Sequence, residues 1–304
     1  MVLQHAYNHG QLNFYLCTLC ILRTEPITGR DSMRNVELAL VKLGGSVVTN
    51  KSRLRSFARR NTDRLLGELS IYLSEGRNRG AIVVHGGGSF GHIIAKKYSI
   101  KEGFTGTDQL SGFAEVRKDM RDLDARIIEL MHAHSMPAVS FPPENLFKVN
   151  DGNIISTYAD SVLAATRIGL VPVSFGDAVM DRRRTFTILS GDSIMKELSR
   201  AARPSVSIFC TDVDGIFTAD PKTSLESLLL QSISTASKLN AGSAVGDDVT
   251  GGMEGKLRVL FEVAKYSGRT HVVNGNKHGR LSAALNGDAT AGTEVNARRR
   301  REIE

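Results

Sequence analysis

The sequence predicts an α/β fold in which helices cover a largely parallel central sheet. Short apolar segments such as residues 81–84 have the composition of strands that are buried on both faces. These segments alternate with stretches of helical periodicity, for example residues 57–73 and 114–133. Polar and glycine-rich turns follow the strand-like segments. Because ligands bind at the carboxyl ends of the strands in open α/β sheets, we expect the functional residues to meet in one crevice.

The elements follow one another from residue 36 onward. Strands are predicted at residues 36–43, 81–84, 137–140, 170–174, 205–210 and 270–273. Helices are predicted at residues 57–73, 93–97, 114–133 and 257–266 from their composition and apolar spacing. Neither an internal repeat nor a low-complexity linker divides this region.

The composition is that of a folded protein. With 304 residues, 41% of them hydrophobic, the chain can bury a substantial core as one large domain or as two lobes that share a sheet. The formal net charge of +7 includes the four arginines of residues 298–301, a run more typical of a solvated tail. The chain has no tryptophan and no nucleic-acid recognition motif. We therefore predict no nucleic-acid partner.

The cysteines indicate a reducing environment. Cys17, Cys20 and Cys210 cannot form a disulfide framework, which favours a cytoplasmic location. Cys17 and Cys20 have C-x-x-C spacing, but no second pair of ligands follows, so no zinc site is predicted.

The two ends of the chain are predicted to lie outside the domain. Residues 1–32 form an extension of unknown role, because folded patterning begins only near Val36. Their apolar segment, residues 12–22, is about half the ~20 residues that a membrane span needs and lacks the features of a secretory signal, so no membrane partner is predicted. Residues 33–296 form one domain, and residues 297–304 form a basic tail.

The run HGGGSFGH at residues 85–92 is the most informative functional signal in the chain. It joins a predicted strand to a predicted helix, where glycines let a phosphate approach closely and the first N–H groups of the helix offer partial positive charge. His92 would add a side-chain donor one turn into that helix. The run therefore predicts an anion site, while His85 at the end of the strand is interpreted as structural.

Lysines stand beside two further glycine elements. Lys42 ends the first predicted strand just before a diglycine, with Lys51 further along, and Lys256 follows another diglycine near the last predicted helix. One lysine at a strand end is more often a solvated charge. Three lysines beside three glycine turns suit the spread charge of a phosphoryl group in transfer. Because neither a Walker A motif nor a protein-kinase motif is present, a different phosphoryl-transfer scaffold is predicted.

No protein metal site is predicted. Asp212 and Asp214 precede a glycine, but the remaining ligands of a calcium loop are missing, and caps of a turn explain them. Four histidines are not spaced with carboxylates as metal ligands: His132, His134, His271 and His278.

Taken together, the motifs resemble those of the amino acid kinase superfamily. They stand in its order: KLGGS at residues 42–46, HGGG at 85–88, TDVDG at 211–215 leading to DPK at 220–222, and DVTGGMEGK at 248–256. The variant GSFGH at 88–92, with SFGD at 174–177 and SGD at 190–192, is similar to the isopentenyl phosphate kinase family within it. The resemblance covers residues 36–295.

The resemblance implies a three-layer α/β/α sandwich, usually assembled as a homodimer. Residues 33–180 would mainly form the phosphate-acceptor lobe, and residues 181–296 the ATP lobe. The reaction would transfer a phosphoryl group from ATP, with Mg²⁺, to isopentenyl phosphate. This is a step of isoprenoid biosynthesis in an alternative mevalonate route.

The resemblance also implies residue roles. Lys42 and Lys256 would contact the ATP phosphates and the transferred phosphoryl group, with Lys51 adding charge nearby. Asp192 would hold the lysines in position. His92 would hydrogen-bond the acceptor's phosphate, with Gly87 and Gly176 lining that pocket. The residues expected at ATP are Lys42, Gly44, Gly45, Ser46, Gly88, Thr211, Asp212, Asp214, Gly252 and Lys256.

Two alternatives stay open. One is a kinase for another small phosphate or phosphonate, of the fosfomycin type, which can share His92. The other is a non-catalytic module that senses ATP or phosphate, although the intact Lys42, Lys51, Asp192 and Lys256 argue against a loss of activity.

Overall fold

One eight-stranded sheet forms the centre of the fold. The computed structural model describes residues 36–50, 52–76, 78–219, 221, 224, 226–235 and 251–297. The strands of the central sheet are β1 (Glu37–Leu43), β2 (Arg79–His85), β3 (Ala138–Ser140), β6 (Val171–Phe175), β9 (Val206–Thr211), β12 (Ser232–Ser234), β13 (Arg269–Asn274) and β14 (Gly292–Asn296). They lie in the order β12-β14-β13-β9-β1-β2-β6-β3, and among these described strands only β13 and β14 pair antiparallel. The predicted α/β class with a largely parallel sheet is confirmed.

Helices pack on both faces of the sheet. They are α1 (Gly45–Val48), α2 (Arg59–Glu75), α3 (Gly88–Lys97), α4 (Asp108–Ala133), α5 (Pro143–Leu146), α6 (Asp160–Arg167), α7 (Gly191–Ala202), α8 (Gly251–Tyr266) and α9 (Arg280–Asn286). Strand β1 alternates its buried side chains between the faces. Ala39 and Val41 belong to one core with α2, α3, α4 and α9, whereas Leu38 and Leu40 belong to a second core with α6, α7 and α8. Two cores around one sheet give the three-layer sandwich.

Several helices begin earlier than predicted. Helix α3 begins at Gly88, α4 at Asp108 and α8 at Gly251, rather than near residues 93, 114 and 257. Gly88 of the turn predicted before α3, and the diglycine predicted before α8, therefore lie in the first turns of these helices, whereas Gly86 and Gly87 precede α3. The first N–H groups of a helix have no partner within it, so glycines there leave donors accessible from outside.

The sequence does not predict a second, four-stranded sheet. Its strands are β4 (Phe147–Asn150), β5 (Asn153–Thr157), β7 (Asp177–Asp181) and β8 (Thr185–Leu189), in the order β5-β4-β7-β8. A two-stranded ribbon of β10 (Ile216–Phe217) and β11 (Leu229–Leu230) is also not predicted. These strands are short and interrupted by polar turn residues, so no continuous apolar run marks them.

One carboxylate joins two turns of this second sheet. Asp181 accepts hydrogen bonds from the backbone N–H groups of Asp151, Gly152, Arg183 and Arg184, at 2.7 to 2.9 Å. Burial opposes the charged form, but the four N–H donors outweigh burial and lower the pKa of Asp181. The carboxylate therefore fixes the β4–β5 turn against the β7–β8 turn.

The corner between β6 and β7 contains a buried charge. The Asp177 side chain is fully buried and accepts a hydrogen bond from Arg121 Nη1 of α4 at 2.6 Å. The Arg121 guanidinium also lies 4.9 Å from the centroid of the Phe175 ring. Burial raises the pKa of Asp177 to about 6, although Arg121 favours the ionised form.

We expect the Asp177→Asn substitution to cost more stability at pH 5 than at pH 7. The folded protein takes up a proton on Asp177 as the pH falls through about 6, whereas the unfolded carboxyl does so near 3.8. The stability from this protonation is thus present at low pH and is lost as the pH rises through about 6. The difference between the two pH values should be about 1 kcal/mol in urea unfolding of both proteins.

The control is Asp122→Asn, which also removes a carboxylate that pairs with a basic residue of α4. Asp122 pairs with Lys118 on the exposed side of that helix. An equal cost of Asp177→Asn at pH 5 and pH 7 would show that the buried carboxyl does not titrate in this range.

Candidate active site

The glycine turns after β1 and β2 touch each other. A Cβ atom on Gly45 would lie 2.4 Å from the backbone N of Gly88, and Gly88 itself has a φ of +46°. Neither position can therefore carry a side chain without moving backbone. The hydroxyl of Thr49 joins the two turns, because it donates to Gly45 O at 2.6 Å and accepts from Ser89 N at 2.9 Å. The two predicted anion sites thus form one continuous surface.

Lys42 and Asp192 meet beside this surface. Lys42 ends β1, Asp192 lies in the first turn of α7, and their Nζ and Oδ1 atoms are 2.6 Å apart. The two side chains keep 16% and 27% of their exposure, respectively, so the pair is partly desolvated but reachable from the crevice. The Lys42 ammonium also lies 5.7 Å from the Phe209 ring centroid. The ion pair holds the lysine at the carboxyl edge of the sheet.

The residues predicted for the acceptor lie around the ends of β2 and β6. Gly176 N donates to His85 O at 3.1 Å, and a Cβ on Gly176 would lie 3.1 Å from Gly191 N at the start of α7. Gly87 precedes α3 and packs against Met120 of α4, whose Sδ atom a Cβ would meet at 3.0 Å. His92 is exposed on α3. Gly176 therefore lies close to both the Lys42–Asp192 pair and the glycine turns.

His85 is a buried structural residue, as predicted. Its ring stacks on Phe175 with centroids 5.0 Å apart, and its Nε2 atom lies 3.3 Å from Asp124 Oδ1. Asp124 accepts a further hydrogen bond from Ser140 at 2.5 Å. No exposed surface of His85 is left for a substrate.

Three of the residues predicted for ATP, Thr211, Asp212 and Asp214, lie at the end of β9 and in the loop that follows it. Ser46 Oγ donates to Asp212 Oδ1 at 2.9 Å, which connects the turn after β1 to this loop. Asn274 Nδ2 donates to Asp214 Oδ1 at 2.9 Å, and Thr211 Oγ1 donates to Val213 O at 2.9 Å. The loop after β9 is thus tied to the ends of β1 and β13.

Among the described residues, Lys256 is not joined to this group. Lys256 is exposed on α8, which also contains Gly252, and the contacts of the described residues do not bring Lys256 to the Lys42–Asp192 pair. Lys51 lies outside the described residues. So do residues 248–250 of the last motif, Asp220 and Lys222, the N-terminal residues 1–35 and the arginine tail.

Sequence reasoning missed several polar residues around the crevice. Arg55, in the loop between α1 and α2, binds the fully buried Asp119 of α4 at 2.7 Å and Glu115 at 2.5 Å. This double ion pair anchors the described part of that loop to α4. Only the spacing of two carboxylates by one helical turn marked these residues, and that pattern is common on helix surfaces.

Three aromatic rings pack together at the contact between α4 and β8. Phe113 of α4 stacks on Phe186 of β8 with centroids 4.9 Å apart, and Phe104 meets Phe186 edge to face at 5.8 Å. Phe186 could not be identified from the sequence, because β8 was not predicted.

The described carboxylates of the crevice do not form a metal cage. Across residues 36–297, apart from the gaps in the description, no three His, Cys, Asp or Glu side chains are placed to hold a metal ion. Within the same residues, no helix combines the length and apolar character that crossing a membrane requires.

Comparisons with known proteins identify the family. The amino acid kinase family profile matches residues 37–274. The isopentenyl phosphate kinase of Methanothermobacter thermautotrophicus is 32% identical over 266 residues, 85% of this chain and 98% of the relative. That of Thermoplasma acidophilum is 34% identical over 248 residues, 80% of this chain and 94% of the relative. That of Arabidopsis thaliana is 30% identical over 227 residues, 68% of each chain.

Solved structures agree with these relatives. An isopentenyl phosphate kinase solved by X-ray crystallography has a TM-score of 0.74 at 30% identity, over 85% of this chain and 100% of that one. The product complex of the T. acidophilum isopentenyl phosphate kinase has a TM-score of 0.71 at 28% identity, with the same coverage. Aspartate kinase from Synechocystis, at 18% identity and a TM-score of 0.60, shares the fold over 88% of this chain and 41% of its own. This chain therefore belongs to the amino acid kinase family and, within it, to the isopentenyl phosphate kinases.

Proposed function

We propose that this protein transfers the terminal phosphoryl group of ATP to isopentenyl phosphate, giving isopentenyl diphosphate and ADP. The observation that carries the proposal is the Lys42–Asp192 pair at 2.6 Å beside the contact between the two glycine turns. Such a site offers adjacent phosphates one ammonium group, fixed in place by its ion pair, and several backbone N–H donors. The archaeal relatives of the same name, 32% and 34% identical to this chain, support the choice of acceptor.

Electrostatics and positioning supply most of the proposed catalysis. A phosphate oxygen of the acceptor attacks the γ-phosphorus of ATP, the bond from that phosphorus to the β,γ-bridging oxygen breaks, and ADP leaves. The acceptor needs no general base, because a phosphomonoester with a second pKa of about 6 is already mostly a dianion at pH 7. Lys42 would stabilise the charge on the moving group, and the N–H groups of Gly45 and Gly88 would bind the ATP phosphates. The N–H group of Gly44 donates to Cys210 O at 2.9 Å and is therefore not available to ATP. Lys51 and Lys256 would add charge as the substrates bind.

Asp192 has a positioning role in this proposal. By pairing with Lys42 it keeps the ammonium at the strand end, and it limits the rotamers that the lysine must lose when ATP binds.

Recognition of a phosphate acceptor rests on His92. Two anionic substrates must approach each other, so donors are needed on the acceptor's side as well as on the ATP side. His92 is exposed on α3, beyond the glycine turn, and would donate to the acceptor's phosphate. Gly87 and Gly176 would line the pocket for that phosphate, and the isoprenoid tail would pack towards Phe104, Phe113 and Phe186.

Mg²⁺ would enter with the nucleotide. Asp212 and Asp214 accept hydrogen bonds from Ser46 and Asn274, and the described residues provide no group of three metal ligands. Magnesium is commonly held by substrate phosphates, water and one or two carboxylates, which fits this arrangement. When bound, the ion would neutralise part of the charge on the phosphates.

We also propose that the protein assembles as a homodimer and is located in the cytoplasm.

The choice of acceptor can be tested in one side-by-side assay. We expect the purified protein, with MgATP, to turn over isopentenyl phosphate far better than fosfomycin or uridylate, because His92 and the aromatic group suit a phosphate with an apolar tail. Coupled detection of ADP gives the three rates. A higher rate with fosfomycin or uridylate would assign the enzyme to the corresponding alternative, and ATP binding without turnover of any acceptor would favour a sensing module.

The role of His92 predicts a selective loss. His92→Ala should raise the KM for isopentenyl phosphate about tenfold or more, the cost of one charge-assisted hydrogen bond, with little change in ATP binding. His134→Ala is the control, because His134 pairs with Asp63 at the far end of α4. Unchanged turnover and KM in His92→Ala would remove this residue from the acceptor site.

The role of Asp192 predicts a fall in kcat. Asp192→Asn should reduce kcat about tenfold to a hundredfold, because Lys42 loses the charge that holds it in place. The matched control is Asp122→Asn, since Asp122 and Lys118 form an ion pair of the same 2.6 Å length on the surface of α4. Steady-state kinetics of both variants decide the matter, and an equal effect in the two would contradict a specific role for Asp192.

A further inference from the structure

Helix α2 directs three polar side chains towards the carboxyl edge of the sheet, at the ends of β9 and β13. We call this part of the edge, where ATP is proposed to bind, the nucleotide edge. The three residues are Asn61, Arg64 and Glu68, which lie about one helical turn apart on one side of the helix. Their partners lie on the loop between β13 and α9, residues 275–279, which we name the 275–279 loop. The proposed catalytic groups do not include these three residues.

Arg64 provides most of the contacts with this loop. Its Nη2 atom donates to Gly275 O and, at 2.7 Å, to Asn61 Oδ1. Its Nη1 atom donates to Lys277 O at 3.3 Å and pairs with Glu68. The planar fork of a guanidinium can serve several such acceptors at once, whereas the ammonium of a lysine cannot hold them in this geometry.

Glu68 completes the attachment of the loop. It is 6% exposed, and its two carboxylate oxygens accept from Gly279 N at 3.1 Å and Ser282 N at 3.0 Å at the start of α9. A buried carboxylate is costly unless it is paired and hydrogen-bonded, and here both conditions are met. Arg64 and Glu68 therefore fix both ends of the 275–279 loop.

The 275–279 loop is hydrogen-bonded in turn to residues predicted for ATP. Gly275 N donates to Thr211 O at 2.8 Å, directly after β9. Asn276 N donates to the side-chain oxygen of Asn274 at 2.9 Å, and the amide of Asn274 then donates to Asp214 at 2.9 Å. A displacement of the loop would thus move the backbone at Thr211 and release Asp214.

Asn61 connects the same network to the glycine turn. Its Nδ2 atom donates to Val47 O at 2.8 Å and to Asn276 Oδ1 at 3.0 Å. Val47 lies in α1 next to Ser46, whose hydroxyl binds Asp212. Asn61, Asn276, Ser46 and Asp212 line one cleft of about 440 Å³. One face of α2 therefore fixes the positions of three segments relative to one another: the turn after β1, the loop after β9 and the 275–279 loop.

We infer that Arg64, assisted by Asn61 and Glu68, is a positioning residue for the nucleotide. It sets the distance between the turn after β1, the loop after β9 and the 275–279 loop, so that their donors fit one ATP molecule. The acceptor side, at the ends of β2 and β6, receives no contact from these three side chains among the described residues. The inference rests on the proposed function only in naming ATP as the nucleotide.

Arg79 provides a matched control for Arg64. Both side chains are 21% exposed and both pair with a glutamate four residues away in the sequence, at 3.6 Å for Arg79 and Glu75. Arg79 also donates to a backbone carbonyl, Tyr72 O, at 3.0 Å. It begins β2, however, and so lies at the amino edge of the sheet, opposite the crevice. Replacing either arginine should affect stability, but only replacement of Arg64 should affect nucleotide binding.

The experiment measures binding without turnover. Titration calorimetry gives the Kd of MgATP and of isopentenyl phosphate for the wild-type protein and for the variants Arg64→Lys, Asn61→Ala and Arg79→Lys, each first checked for folding by thermal melting. Arg64→Lys should raise the Kd of MgATP about tenfold, as expected for loss of a charge-assisted hydrogen bond, and Asn61→Ala should raise it about threefold. The Kd of isopentenyl phosphate should stay within about twofold in both. Arg79→Lys should change neither Kd.

Two results would overturn the inference. One is an unchanged Kd of MgATP in both α2 variants. The other is a loss of ATP affinity in Arg79→Lys equal to that in Arg64→Lys, which would reveal a general effect of stability. If the wild-type protein did not bind isopentenyl phosphate, the proposed function would fail, while the ratio of ATP affinities between Arg64→Lys and Arg79→Lys would still decide the role of Arg64.

Discussion

The backbone contact between Gly45 and Gly88 is the constraint on which the rest of the crevice depends. It brings the ends of β1 and β2 so close that a Cβ atom at Gly45 would lie 2.4 Å from Gly88 N. Parallel pairing of the two strands alone would leave their side chains to fill the space above the sheet edge. Because both turns lack side chains there, their N–H groups can face the same small ligand.

Charge balance is the second condition that the site must meet. A crevice for two phosphates needs positive charge, but an unpaired lysine would lose several rotamers on binding and repel its neighbours when empty. The Lys42–Asp192 and Arg121–Asp177 pairs each link a strand end to a helix. Arg64 and Glu68 pair within α2, and each also hydrogen-bonds the 275–279 loop. Partial burial strengthens such pairs only when the geometry is good and the remaining donors are used. The hydrogen bonds of Arg64 satisfy this condition.

Much of the fold could be predicted from the sequence, but only part of the site. Strands β1 and β2 were predictable because apolar runs between glycine turns mark strands buried on both faces. Strand β8 was not predictable, because five residues of alternating polar and apolar character between turns cannot be told from a loop by their sequence. Phe186 was missed for the same reason. Lys42 and His92 are marked by neighbouring glycines. Arg64 and Glu68 have the spacing of an ordinary surface pair, and only the tertiary contact with the 275–279 loop distinguishes them.

The shared sheet explains how one fold can accept different substrates. Strand β1 lies between β2 and β9. In the proposed site β2 leads to the acceptor and β9 to ATP, so the register of these strands would set the distance between the two substrates. Aspartate kinase from Synechocystis keeps this fold at 18% identity. A change of acceptor therefore does not require a change of the sheet. In the proposed site it can arise in α3, in α4 and in the second sheet, on the side assigned to the acceptor, while the loops that contact α2 would continue to bind the same nucleotide.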